Sequence, residues 1–172
     1  MKKMTSWILL AVLGLGFSLA HAQNNNNAPE VASTLYAINK GEIETSQLAK
    51  NKTTNRAVLD FANQMITEHQ NAQNQLDTIL KNENINKITS ADARTLNSQA
   101  RKTMRMLKKL NGIAFDRAYM DYQITAHKNG LQIINDHVLP RVQNPALKNY
   151  ALELKQHVAR HLAEAEKLRP SI

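Results

Sequence analysis

Four long stretches of this chain carry apolar residues at steps of three and four positions, the spacing that aligns side chains along one face of an α-helix. These stretches predict helices over about 29–51, 55–83, 113–139 and 145–168. A further helix is predicted over about 90–110, in the connection between the second and third main helices. The sequence contains no strand-like alternation of useful length, so the pattern indicates an all-α protein.

Polar residues, proline and glycine mark several helix ends. Pro29 is tolerated in the first turn of the first helix, where an N–H group would lack a helical partner. The Thr/Asn cluster at 53–55 and Asn144 supply acceptors for the first N–H groups of the second and fourth main helices. Gly112 follows the connecting helix and suits the left-handed conformation in which many helices end.

The connections between the four main helices are short, long and short. Short links place consecutive helices antiparallel, whereas the long link allows the chain to return across the molecule. The second and third main helices are therefore predicted to run parallel. A four-helix bundle with one long crossover has the ferritin-like topology, here with an extra helix in the crossover.

Each main helix interrupts its apolar face once with a residue type that binds metals. These residues are Glu42, His69, His127 and His161. Each occupies an inward position near the middle of its helix, although His161 lies somewhat past the middle. Since a helix rises about 1.5 Å per residue, mid-helix residues of similar helices reach similar heights. The sequence therefore predicts that the four side chains meet in the core.

A carboxylate in a dry core requires a compensating partner. One solution is a single transition metal ion bound by all four side chains, and Zn, Fe, Mn or Cu would accept nitrogen and oxygen ligands. The other solution is a metal-free network in which Glu42 accepts hydrogen bonds from histidine. Periodicity does not separate these two alternatives.

Other polar residues carry weaker signals. His157 lies one turn before His161 and is either a second ligand from that helix or a surface residue, and the role of His137 is equally open. Glu44 and Glu68 are expected to be solvated or to lie beside the site. Asp116 is expected to interact with the dipole of the third main helix from its first turn. Three tyrosines are expected to pack with their hydroxyls at the margin of the core: Tyr119, Tyr122 and Tyr150.

The N-terminus has the form of an export signal. Lys2 and Lys3 precede an uncharged apolar stretch over 7–20, and Ala20-His21-Ala22 is a small-x-small cleavage site. Cleavage after Ala22 would deliver the chain to the bacterial periplasm or the exterior. The alternative, an uncleaved membrane anchor, is disfavoured by the short apolar run. An Asn-rich tail over 23–28 is expected to be disordered, and 29–172 form the single helical domain.

Composition narrows the possible partners and chemistry. The chain has no cysteine, which excludes disulfides and thiolate metal sites. Its net charge of +8 falls to +6 when Lys2 and Lys3 leave with the signal, which predicts at most a weak attraction to anionic envelope surfaces. Nucleic acid is not an expected partner, because the sequence has no aromatic-and-basic recognition motif. Phosphate-binding glycine loops and serine nucleophile elbows are also missing from the sequence.

Four segments of the sequence resemble the domain of unknown function 4142 family, which is assigned to the ferritin-like superfamily. They are Gly41-Glu42-Ile43-Glu44 through Leu48-Ala49, Phe61-Ala62 through Glu68-His69, Gly112 through Phe115-Asp116-Arg117-Ala118-Tyr119-Met120 to His127, and Leu147-Lys148 through His161-Leu162. The resemblance covers nearly all of the chain after the signal. It implies a Glu and three His at positions 42, 69, 127 and 161, and no activity is established for the family.

The sequence departs from di-iron ferritins, which carry a Glu-x-x-His motif on two of their helices. At the required spacing, His69, His127 and His161 are preceded by apolar residues: Ile66, Ile124 and Val158. The bridging carboxylates are therefore missing, and a single-metal site fits better than iron storage. Two functions are expected as alternatives. One is an exported bundle for metal handling or stress-related redox chemistry, and the other is a non-enzymatic envelope module with a metal-free polar core.

Overall fold

The computed structural model describes residues 27–172, and the regular structure of this part is entirely helical. Its five α-helices are α1 (Ala28–Lys52), α2 (Arg56–Asn82), α3 (Ala91–Leu107), α4 (Gly112–Ile133) and α5 (Pro145–Leu168). The predicted all-α class is confirmed. The predicted signal and most of the Asn-rich tail lie outside the described residues. Among the helices described, none is long and apolar enough to span a membrane.

Side-chain caps fix two of the predicted helix starts. Asn55 Oδ1 accepts hydrogen bonds from the backbone N–H groups of Ala57 and Val58, at 3.0 and 3.2 Å. Asn144 Oδ1 accepts from the backbone N–H of Leu147 at 3.0 Å. These bonds satisfy N–H groups that have no partner inside the helix. The start of each helix agrees with the sequence prediction to within one residue.

The third main helix differs from its prediction at its C-terminal end. The α-helical part ends at Ile133, and a π-helical turn over Ile134–Val138 follows. A hydrogen bond of 2.9 Å from Leu139 N–H to the Ile134 carbonyl closes this wider turn. The prediction of one regular helix to Leu139 was wrong here. Ile134 and Val138 are both buried and four residues apart, so the apolar spacing gave no sign of the extra residue in the turn.

Two apolar clusters occupy opposite ends of the described bundle. The first combines the N-terminal halves of α1 and α5 with the C-terminal end of α2 and the π-helical turn after α4, as in Leu35, Leu154, Leu76 and Ile134. The second combines the opposite halves of the same elements, as in Ala49, Ala165, Met65 and Met120. It follows that α1 is antiparallel to α2, α4 is antiparallel to α5, and α2 runs in the same direction as α4.

The connecting helix α3 lies against α1 and also contacts α4. Its start is fixed by Ser90, whose backbone N–H donates to Ser33 Oγ at 3.0 Å and whose hydroxyl lies 2.9 Å from Thr34 Oγ1. Further along, the helices approach closely at Gly41. A methyl group built there would lie 3.7 Å from the Ala100 side chain, so a side chain larger than alanine would push α3 outward.

Candidate metal centre

A polar layer separates the two apolar clusters. Its members are Glu42, His69, His127 and His161, one from each of α1, α2, α4 and α5, and none is more than 5% exposed. Along each helix the polar residue lies between apolar residues of the first cluster and apolar residues of the second. Regular three–four spacing therefore brings all four predicted residues into the interior, as the sequence indicated.

The three histidines face one another. Their ring centroids are 6.0 Å apart for His69 and His127, 5.3 Å for His69 and His161, and 5.4 Å for His127 and His161. Each ring offers one nitrogen that lies within 4.8 Å of the nitrogens offered by the other two. Glu42 does not join the three histidines at this spacing, but it lies close enough to His127 and Gln123 for both to influence its pKa.

Asn39 determines which nitrogen of His69 carries the hydrogen. The Asn39 amide nitrogen donates to the Tyr150 hydroxyl at 2.5 Å, which leaves Asn39 Oδ1 as an acceptor. His69 Nδ1 lies 3.0 Å from this oxygen and donates to it. The lone pair of the neutral ring is consequently on Nε2.

The other two rings are oriented in the same manner. His127 Nδ1 donates to the backbone carbonyl of Gln123 at 2.8 Å, and His161 Nε2 donates to Glu68 Oε2 at 2.9 Å. Burial raises the pKa of Glu68, but hydrogen bonds from His161 and Gln64 outweigh it, so the net pKa is lowered and the carboxylate is an acceptor. The lone pairs are on Nε2 of His127 and Nδ1 of His161. An oxygen acceptor behind each ring is the arrangement that usually orients metal-binding histidines.

These three lone-pair nitrogens are buried and have no hydrogen-bond partner among the described residues. Other polar atoms nearby are also buried without a hydrogen-bond partner: Glu42 Oε2 and the amide oxygen and nitrogen of both Gln73 and Gln123. Gln73 lies one helical turn after His69, and Gln123 lies one turn before His127. The unpartnered amide atoms of Gln73 and Gln123 therefore lie on the same helix faces as His69 and His127.

Burial shifts the pKa values of three members of the polar layer, Glu42, His69 and His161. It raises the pKa of Glu42, although His127 and Gln123 oppose that rise. It lowers the pKa of His69 well below its usual value, and the neighbouring His127 and His161 add to this effect. It lowers the pKa of His161 to about 4, against the opposing hydrogen bond to Glu68. His69 and His161 are therefore neutral near pH 7, which is the form that binds metals.

A family model described as Domain of unknown function (DUF4142) matches residues 17–168, most of the chain. The chain belongs to this family. No curated protein matches it. No solved structure matches it either. Membership in DUF4142 carries no activity with it, so the chemistry of this member has to be argued from the geometry of its polar layer.

Sequence reasoning missed several polar residues around the centre of this DUF4142 chain. Asn39, Gln73 and Gln123 are all buried, and only their spacing of three or four residues from Glu42, His69 and His127 signals their position. One expectation was also wrong. Tyr119 and Tyr150 place their hydroxyls inside the protein, not at the core margin. Asp116, which was expected to interact with the helix dipole, is buried, and its Oδ1 has no hydrogen-bond partner among the described residues.

Two other histidines among residues 27–172 lie outside the three-histidine group. His157 has a half-exposed side chain, and its Nδ1 lies 3.2 Å from Glu68 Oε2. His137 is half-exposed as well, 3.1 Å from Asp92 Oδ2. Glu68 thus lies directly beside the site and connects it to the surface, whereas Glu44 pairs with Lys40 in solvent.

Proposed function

We propose that this protein binds one divalent transition metal ion in its core. His69, His127 and His161 are the ligands, and Glu42 supplies a fourth ligand or a compensating negative charge. The observation that carries the proposal is the set of three buried lone-pair nitrogens, each opposed across its ring by an oxygen acceptor. Zn, Fe, Mn and Cu all accept this combination of imidazole and carboxylate ligands.

The same nitrogens argue against a metal-free polar core. None of the three has a hydrogen-bond partner, so they do not hydrogen-bond to one another. His69 and His161 are neutral and donate their hydrogens to Asn39 and Glu68, so neither has one left for Glu42. A metal-free core would need donors from water, from the Gln73 or Gln123 amide or from a protonated Glu42, and neither amide nor the Glu42 carboxyl is in hydrogen-bond contact with these nitrogens. An unsatisfied buried acceptor costs about 1–3 kcal/mol. A single cation satisfies all three nitrogens and offsets the Glu42 charge.

The ligand set favours mononuclear chemistry. Three imidazole ligands leave one position open on a four-coordinate ion, as in many catalytic metal sites, and Glu42 would either fill that position or remain beside it as a charge. Bridging carboxylates of the di-iron kind are not part of this set. Metal handling or redox chemistry under stress is therefore the proposed role, ahead of iron storage. The parallel course of α2 and α4, joined by the connection that contains α3, supports a ferritin-like bundle as the scaffold.

We further infer that the protein works in the periplasm or outside the cell. The apolar stretch over 7–20 and the Ala20-His21-Ala22 site support cleavage of an export signal. The ion would then be acquired after export, without competition from cysteine thiolates in the same chain. The excess of basic residues in the mature chain suits a weak attraction to anionic envelope surfaces.

Thermal melting of the chelated protein, with and without added Zn²⁺, Mn²⁺ or Cu²⁺, tests the metal-binding proposal. A metal at 100 times its dissociation constant stabilises the folded state by about 2.7 kcal/mol. For a domain of this size, that raises the Tm by roughly 5–10 °C. His127→Leu should remove most of the shift, whereas the surface variant His137→Leu should keep it. Equal shifts in the two variants would remove His127 from the site.

A further inference from the structure

A cavity of about 390 Å³ lies between α1, α3 and α4. It exists because small residues face it from all three helices. They are Ala37, Gly41, Ala100, Ala126 and Gly130. Leu96 and Met106 extend the apolar wall toward the surface. Volumes of this size and mostly apolar walls are typical of small-molecule sites in proteins.

Glu42 belongs to both the cavity and the polar layer. It is one of the residues that line the cavity, yet it is only 5% exposed. Its Oε2 is buried and has no hydrogen-bond partner among the described residues. The Gln123 amide is near enough to affect the Glu42 pKa, but its own polar atoms are also unpartnered. Because Glu42 lines the cavity, a donor group on a molecule bound there can reach its carboxyl group.

The charges around the cavity restrict what binds there. Glu42 and Lys102 are the two charged residues that line it, and Lys102 is exposed, so its charge is screened by water. A carboxylate ligand that reached the inner end would meet the Glu42 carboxylate. A cationic ligand would have to leave water for mostly apolar walls. An uncharged molecule avoids both costs, and a hydroxyl group supplies the donor that Glu42 lacks.

We propose that this cavity binds a small, uncharged molecule with an apolar body and one hydroxyl group, which donates a hydrogen bond to Glu42. The proposal goes beyond the metal site and does not require the ion, because the cavity and the carboxylate belong to the protein itself. If the proposed metal ion is bound, a molecule in this cavity would lie next to the metal site, in a position suited to a substrate.

The test is fluorescence titration of the chelated and the metal-loaded protein with 2-naphthol. Naphthalene and 2-naphthoate serve as comparison probes without the hydroxyl and with a negative charge. One 2-naphthol should bind per chain, about five- to tenfold more tightly than naphthalene, the ratio that one hydrogen bond provides. 2-Naphthoate should bind more weakly than 2-naphthol. Equal or tighter binding of either comparison probe, or no binding of 2-naphthol to either form, would overturn the proposal.

Two filling variants locate the site. Ala126→Phe on α4 and Thr103→Phe on α3 narrow the cavity from opposite walls and should each weaken 2-naphthol binding about tenfold or more. Ala163→Phe, on the exposed face of α5, should bind as the wild type does. Unchanged binding in both filling variants would place the molecule elsewhere. Metal content is measured on the same samples to distinguish the cavity proposal from the metal-site proposal. A filling variant that loses 2-naphthol binding but keeps its full metal content has changed the cavity alone.

Discussion

Asn39 Oδ1 accepts a hydrogen bond of 3.0 Å from His69 Nδ1 while the Asn39 amide nitrogen donates to the Tyr150 hydroxyl. These two hydrogen bonds together fix the tautomer and the orientation of the His69 ring. Because Asn39 and Tyr150 come from α1 and α5, two further helices of the bundle hold the α2 histidine in place. Such outer partners are expected to affect metal affinity although they do not touch the ion.

Replacement of Asn39 should therefore lower metal affinity, and the loss should be larger than the destabilisation of the fold by the same substitution would cause. Asn39→Ala is expected to lower metal affinity 10–100-fold, the usual result of losing the partner behind a ligating histidine. Asn39→Asp keeps the acceptor and should retain most of the affinity. Competition with a chromophoric chelator measures the affinity. Thr34→Val removes partly buried side-chain hydrogen bonds of α1, to Ser90 and to the Glu30 carbonyl, and should leave metal affinity unchanged. Equal affinity in Asn39→Ala and Thr34→Val would contradict this role.

Glu42 should destabilise the metal-free protein at neutral and alkaline pH. Burial raises its pKa above the unfolded value of 4.5, so the folded state binds the extra proton and stability falls as the pH rises through the folded pKa. With chelator present, Glu42→Gln should therefore be more stable than wild type at pH 8 by on the order of 1–3 kcal/mol. The two proteins should differ much less at pH 4. Urea unfolding at both pH values gives the comparison, and a pH-independent difference would argue against the assignment.

The Asn144 cap should contribute to the free energy of unfolding and should have no effect on metal affinity. Its Oδ1 accepts from Leu147 N–H, and its amide donates to Glu83 Oε2 at 2.8 Å, so it joins the start of α5 to the end of α2. Asn144→Ala should cost about 1–2 kcal/mol, as other N-cap losses do. Denaturant unfolding measures this cost, and metal titration of the same variant should give the wild-type affinity. A loss of metal affinity would mean that the site depends on this distant end of the bundle.

The sequence predicted the helices and the inward side chains because both follow from apolar spacing. Glu42, His69, His127 and His161 interrupt regular stripes, and the stripes alone place them inside. The positions of Asn39 and Gln123 depend on the helix packing, which decides how wide the buried face is on each helix. The width of the buried face cannot be predicted from the spacing of residues in the sequence. The histidine tautomers cannot be predicted from it either, because they depend on partners from other helices, as in the contact between His161 and Glu68.

The central claim is that His69, His127 and His161 bind one metal ion, with Glu42 as a fourth ligand or a compensating charge. Elemental analysis of the protein purified from its own host tests it most directly, with His127→Leu purified in parallel and His137→Leu as the matched surface control. We predict close to one equivalent of a single transition metal in the wild type and in His137→Leu, and much less than one in His127→Leu. Metal-free wild-type protein that also takes up no Zn, Fe, Mn or Cu on titration would contradict the claim, as would equal metal content in all three proteins.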